Sequence, residues 1–116
     1  MTILSRDSLA ACYDFLAETP PFNKWGLPPS EDVSFRIIRG KDVRGWYIMR
    51  GDKPEIAISS ACVKRTDTLT ATMAHEICHL YEDRAGFSRP DVIHGKAFLK
   101  LAAQVCKHHG WDEALF

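Results

Sequence analysis

No two of the four cysteines, Cys12, Cys62, Cys78 and Cys106, are close enough to form a Cys-x-x-Cys pair. That spacing excludes a zinc ribbon. It fits four reduced thiols of a cytoplasmic protein better than a disulfide framework. There is no surplus charge: 15 basic residues balance 15 acidic ones. The balance holds locally, with 8 of each sign in residues 1–58 and 7 of each in residues 59–116. Bulk charge therefore does not imply avid, sequence-independent binding of nucleic acid, though a local patch could form in three dimensions. No run approaches the ~18 apolar residues of a membrane span. The start, Met1-Thr2-Ile3-Leu4-Ser5-Arg6-Asp7, lacks the apolar stretch of a signal peptide. Internal repeats and low-complexity tracts are absent as well. A cytoplasmic monomer without a membrane partner is the expectation.

What is present is a 116-residue chain, 46% apolar and 26% charged. That length and balance predict one globular domain spanning residues 1–116. Ser5 can cap a helix running to about Thr19, with Leu9, Tyr13 and Leu16 on one face. Residues 19–30 hold four prolines and read as a loop, which Phe22 and Trp25 anchor on the core. Three β-like runs follow: Val33 to Arg39, Val43 to Arg50 and Glu55 to Ser60. Turn residues separate them, so they read as an antiparallel meander. The last run is expected to be an exposed edge where an extended peptide could pair. Two helices close the chain, one capped by Thr66 or Thr68 and ending near Asp83, the other from about Asp91 to His109 with Gly110 as its stop. Helix, three strands and two helices make an α+β protein.

His75-Glu76-Ile77-Cys78-His79 has the H-E-x-x-H pattern of zinc hydrolases. Residues i and i+4 lie about 40° apart around a helix, so both imidazoles can reach one ion. Glu76 stands beside them and can act as general base toward a metal-activated water. Leu69, Met73, Ile77 and Leu80 form an apolar stripe on another side of the same helix. His94, Phe98, Leu101, Ala102 and Val105 form a stripe on the last helix. His94 is thereby a candidate third ligand, with Gly95 leaving room for close approach. Cys78 points away from the two histidines and reads as packing. His108 and His109 read as solvated residues at a helix end. Glu82 and Asp91 are candidates to hold a ligand from behind. The metzincin continuation fails, because Glu82 and Ala85 occupy its Gly and His positions. An oxyanion donor is expected, with Tyr47, Tyr81, Lys96 and Arg89 as the candidates.

The pair His75-Glu76-Ile77-Cys78-His79 and, after fourteen intervening residues, His94-Gly95-Lys96-Ala97-Phe98 resembles the SprT-like metallopeptidase family. That family joins HExxH to a downstream H-G-x-x-F. The resemblance is strong over residues 55–109 and general over residues 1–54. It implies a minimal zincin-like fold, a Spartan-like protease core without the C-terminal zinc ribbon. It further implies one zinc held by His75, His79 and His94, with Glu76 as catalytic base and a protein or peptide as substrate. DNA is a partner that the resemblance suggests and the charge balance does not. Arg36, Arg39, Lys41, Arg44 and Arg50 are the best case for a basic patch. The alternatives are a zinc hydrolase of a non-peptide amide, a noncatalytic zinc-binding module, and a three-histidine zinc ribonuclease. The last is disfavoured by Glu76 and by the distant third histidine.

Overall fold

The computed structural model describes residues 4–87 and 93–116. Helix α1 (Arg6–Ala17) starts where the sequence places its cap. The Ser5 hydroxyl accepts from Ser8 N at 3.0 Å, and the Ser8 hydroxyl accepts from Ser5 N at 2.8 Å. This reciprocal cap satisfies two otherwise orphaned donors and contributes about 1 kcal/mol. Leu9, Tyr13 and Leu16 form the buried face of α1. Tyr13 also donates to the Pro28 carbonyl at 2.6 Å, tying the proline-rich segment to the core. Within that segment Phe22–Lys24 and Ser30–Asp32 form single 3-10 turns, and Phe22 is buried.

The strands are β1 (Ser34–Ile38), β2 (Gly45–Arg50) and β3 (Lys53–Ser59). Their order is β1-β3-β2, so the expected antiparallel meander is corrected to a mixed sheet. β2 and β3 form the expected hairpin, but β1 pairs with β3 in parallel, with Phe35 opposite Ile56 and Ile37 opposite Ile58. β3 takes the centre because it can be buried on both faces. All of Pro54 to Ser59 is buried, whereas β1 and β2 carry the exposed Arg36 and Arg50. The run Glu55 to Ser60 is therefore not the exposed edge. Within the sheet, that position belongs to β2 on one side and β1 on the other. Glu55 is buried on the outer face of the sheet. Burial alone would raise its pKa, but Trp46 Nε1 at 3.2 Å and Arg50 Nε at 2.9 Å hold the carboxylate charged.

Helix α2 (Thr66–Arg84) runs through the middle of the molecule, against α1, α3, β2 and β3. Leu69, Met73, Ile77 and Leu80 are buried as the stripe predicts, and Ala74 and Cys78 are buried beside them. Its N-cap is Arg65 rather than a threonine. Asp67 serves the first turn instead, accepting from Thr68 N at 2.8 Å. Helix α3 (Lys96–His109) begins later than expected and ends at Gly110, whose φ of 74° is the left-handed conformation of a helix stop. Phe98, Leu101, Ala102 and Val105 are its buried stripe. His94 is not on that stripe. It lies, exposed, in the turn before α3, with Gly95 at the N-cap. Among the described residues, no helix is long and apolar enough to cross a membrane. All four cysteines are free.

Candidate metal centre

His75 and His79 project from α2 one turn apart, as their spacing requires. The turn before α3 brings His94 to them. One nitrogen from each of the three imidazoles lies within 4.8 Å of the others. The ring centroids form a nearly equilateral triangle: 5.0 Å for His75–His79, 5.1 Å for His75–His94 and 5.1 Å for His79–His94. His79 Nε2 and His94 Nε2 are 3.2 Å apart. A tetrahedral ion with ligands at ~2.0–2.1 Å holds its nitrogens roughly 3.3 Å apart, so this pair already has the spacing of a shared metal.

Phe98 is the floor under the triangle. Its ring centroid is 4.5 Å from that of His79, 4.5 Å from that of His94 and 4.9 Å from that of His75. The side chain that begins the buried stripe of α3 thus seats all three imidazoles. Sequence reasoning placed Phe98 on the buried stripe and at the end of the His94-Gly95-Lys96-Ala97-Phe98 motif, but gave it no role beneath the histidines. The signal that could have found its second role is that same motif, which ties Phe98 to His94.

Two of the rings are also held from behind. His75 Nδ1 lies 2.8 Å from the main-chain oxygen of Phe116. His79 Nδ1 lies 3.5 Å from Glu82 Oε1, which fits the expected supporting role of Glu82. Burial, then the neighbouring imidazoles, pushes the pKa of His79 down to about 4. Burial likewise lowers that of His75. Both rings are therefore neutral at neutral pH, with lone pairs free for a cation. Three converging imidazoles fit a zinc ion in donor type and spacing.

Glu76 is buried beside the histidines, and burial pushes its pKa up to about 8. It lines a cleft of about 660 Å³ together with the three histidines and the β2 residues Gly45, Trp46 and Tyr47. It also lines a smaller cavity of about 210 Å³, together with Gly45, Thr72, Leu115 and Phe116. Gly45 is required at this wall, since a Cβ there would collide with the main-chain oxygen of Ala57.

The remaining candidates separate. Among the oxyanion candidates, Tyr47 lines the cleft and donates to Asp83 Oδ2 at 2.7 Å. Tyr81 stacks on Trp25 at 4.5 Å and borders a different groove together with Lys96. Arg89 and Asp91 lie outside the described residues. Cys78 is fully buried, and burial keeps its thiol protonated, as packing requires. His108 is exposed as expected, but His109 is not simply solvated. His109 Nε2 is 3.1 Å from the Thr19 hydroxyl, and its ring stacks on Trp111 at 4.7 Å.

Comparison with known proteins gives one family. The model of the SprT-like family matches residues 14–114, nearly the whole chain. Among curated proteins, none matches the chain.

Proposed function

This chain belongs to the SprT-like family, and we propose that it is a zinc metallopeptidase of the HExxH, zincin-like type. His75, His79 and His94 hold the ion, and Glu76 is the general base. The observation that carries this reading is the convergence of three imidazoles over Phe98 with a buried carboxylate beside them, all facing one cleft. A structural zinc closes its shell with four protein ligands, whereas three histidines leave a position open. When bound, zinc supplies Lewis acidity, lowering the pKa of water toward ~7 and polarising a carbonyl.

Each residue of the chain then has a defined task. The Glu76 carboxylate takes a proton from the attacking water and delivers it to the nitrogen of the leaving amine. Its burial favours the protonated form, and a cation at the imidazoles opposes that bias by stabilising the charge. The two effects together keep Glu76 close to the balance that proton transfer in both directions requires. The free edge of β2 forms the cleft wall and offers main-chain hydrogen bonds to an extended peptide. Docking therefore moves from β3, where the sequence pointed, to β2.

The test is incubation of the zinc-loaded protein with a proteome, read by sequencing of the new termini. Wild type should generate new termini, and Glu76→Gln should lose at least 100-fold of that activity. Equal activity in the two proteins would remove Glu76 from the mechanism. No new termini from either would remove the peptidase reading.

A further inference from the structure

The segment after α3 returns to the back of the metal site. Trp111 stacks on His109 at 4.7 Å, and Phe116 lies against Trp111 at 6.1 Å and against His75 at 5.3 Å. His109 is fixed at the far end of this series by Thr19 and by Phe22, whose ring is 5.8 Å away. A continuous row of rings therefore runs from the proline-rich segment to His75. At its near end the main-chain oxygen of Phe116 sits 2.8 Å from His75 Nδ1. That main-chain oxygen accepts, so Nδ1 carries the proton. In a neutral imidazole the lone pair is then on Nε2. Among the described residues, no side-chain carboxylate stands behind His75 as Glu82 does behind His79.

We propose that Phe116 is a positioning residue for the metal centre: its main-chain oxygen fixes His75 in the Nδ1–H tautomer with Nε2 free for the ion, and the His109–Trp111–Phe116 stack holds that oxygen in place. The proposal rests on the reading of His75 as a metal ligand. Loss of such a partner behind a ligating histidine weakens metal binding 10–100-fold. The stack gives a role to the two aromatic residues, Trp111 and Phe116, of an otherwise peripheral segment. It also accounts for the half-buried Phe116, which lines the small cavity beside Glu76.

The test uses the full chain and two variants, Phe116→Ala and a deletion of residues 112–116. Nitrogen-15 NMR of the histidine rings reads the tautomer in the metal-free proteins, and competition with a chromophoric chelator reads zinc affinity. Wild type should show a single His75 tautomer protonated at Nδ1, with slow exchange of that proton. The deletion should give mixed His75 tautomers and zinc binding at least 10-fold weaker, with His79 unchanged. Phe116→Ala keeps the oxygen but loosens its seat, and should fall between the two. It decides the matter if the deletion does not fold. A wild-type His75 protonated at Nε2 overturns the proposal. So do variants that leave both the tautomer and the zinc affinity within twofold of wild type. If wild type binds no zinc, the metal reading fails, and the tautomers of the metal-free proteins still decide the role of Phe116.

Discussion

The Tyr47 hydroxyl donates to Asp83 Oδ2 at 2.7 Å, joining the cleft-lining edge strand to α2 one turn beyond His79. Burial, and then the bond to Asp83, holds the phenol above its ordinary pKa, so it remains a donor at any working pH. Its proton is committed to Asp83 and not to a developing oxyanion. Tyr47→Phe should therefore lower stability by about 1–2 kcal/mol, the scale of a partly exposed bond to a charged acceptor. Turnover should fall by less than about tenfold. A fall of roughly 100-fold or more at unchanged stability would instead make Tyr47 the oxyanion donor.

Metal content tests the triangle itself. One zinc per chain is expected by elemental analysis. His75→Ala, His79→Ala and His94→Ala should each weaken binding by more than about 100-fold, since changes behind a ligand already cost 10–100-fold. His94 is the most discriminating of the three, because it is exposed and sits in a turn. Its replacement should leave the metal-free stability within about 0.5 kcal/mol of wild type. A His94→Ala protein that binds zinc as tightly as wild type would show that His94 is not a ligand.

The buried carboxyl of Glu76 makes the metal-free protein sensitive to pH. In the fold its pKa is pushed up to about 8, against ~4.3 in an unfolded chain. Folding therefore favours the protonated form. The associated stability is complete below about pH 4 and is lost as pH rises through 8. Glu76→Gln has no such proton. Metal-free wild type and Glu76→Gln should melt alike near pH 5, and Glu76→Gln should be the more stable by pH 9. The histidine titrations are common to both proteins and cancel in the comparison. Zinc should narrow the gap by stabilising the carboxylate. A difference that does not vary between pH 5 and 9 would show that Glu76 is not held protonated by its burial.

The parts of this molecule legible in the sequence are those set by local periodicity. Ser5 fixes the start of α1, the stripe of α2 and the spacing of His75 and His79 each fix a face of α2, and those faces are where the wheel puts them. The strand order was not legible, because alternation says which face a side chain takes and not which strand lies alongside. Ile56 and Ile58 alternate with Glu55, Ala57 and Ser59, a pattern that reads as one face buried. Both faces are buried, since Trp46 and Arg50 fold over Glu55. His94 was found for a reason only half right. It does meet the other two histidines, but from a turn capped by Gly95, where the backbone is free of the helix period. The contact of Phe116 with His75 spans 41 residues and has no local signature.

The position of β2 at the sheet edge yields a test of substrate docking. If an extended peptide pairs with β2, N-methylation of its backbone near the cleaved bond should impair cleavage at alternate positions, following the period of a strand. Impairment at none of the positions would exclude pairing of this kind. Gly45 offers a second arm. Gly45→Ala places a methyl group against Ala57 O, so it should destabilise the protein by about 1–3 kcal/mol.

Dependence on DNA can be argued from the same sheet. Of the five basic residues that could gather on it, Arg50 is bonded to Glu55, and Arg36 lies close enough to act on the same carboxylate. One candidate phosphate ligand is thus already paired with an internal anion, and a second lies within the field of that anion. Elsewhere Arg65 pairs with Asp67 at 3.2 Å. With formal net charge zero over the chain, few counterions would be released from a phosphate backbone, and binding should fade steeply with salt. Single- or double-stranded DNA should therefore change cleavage of a flexible protein by less than about threefold at physiological salt. The measurement is proteolysis with and without each DNA across a salt series. A stimulation well above threefold that survives physiological salt would show that the remaining arginines, Arg39 and Arg44 with Lys41, gather into a site that the charge balance conceals.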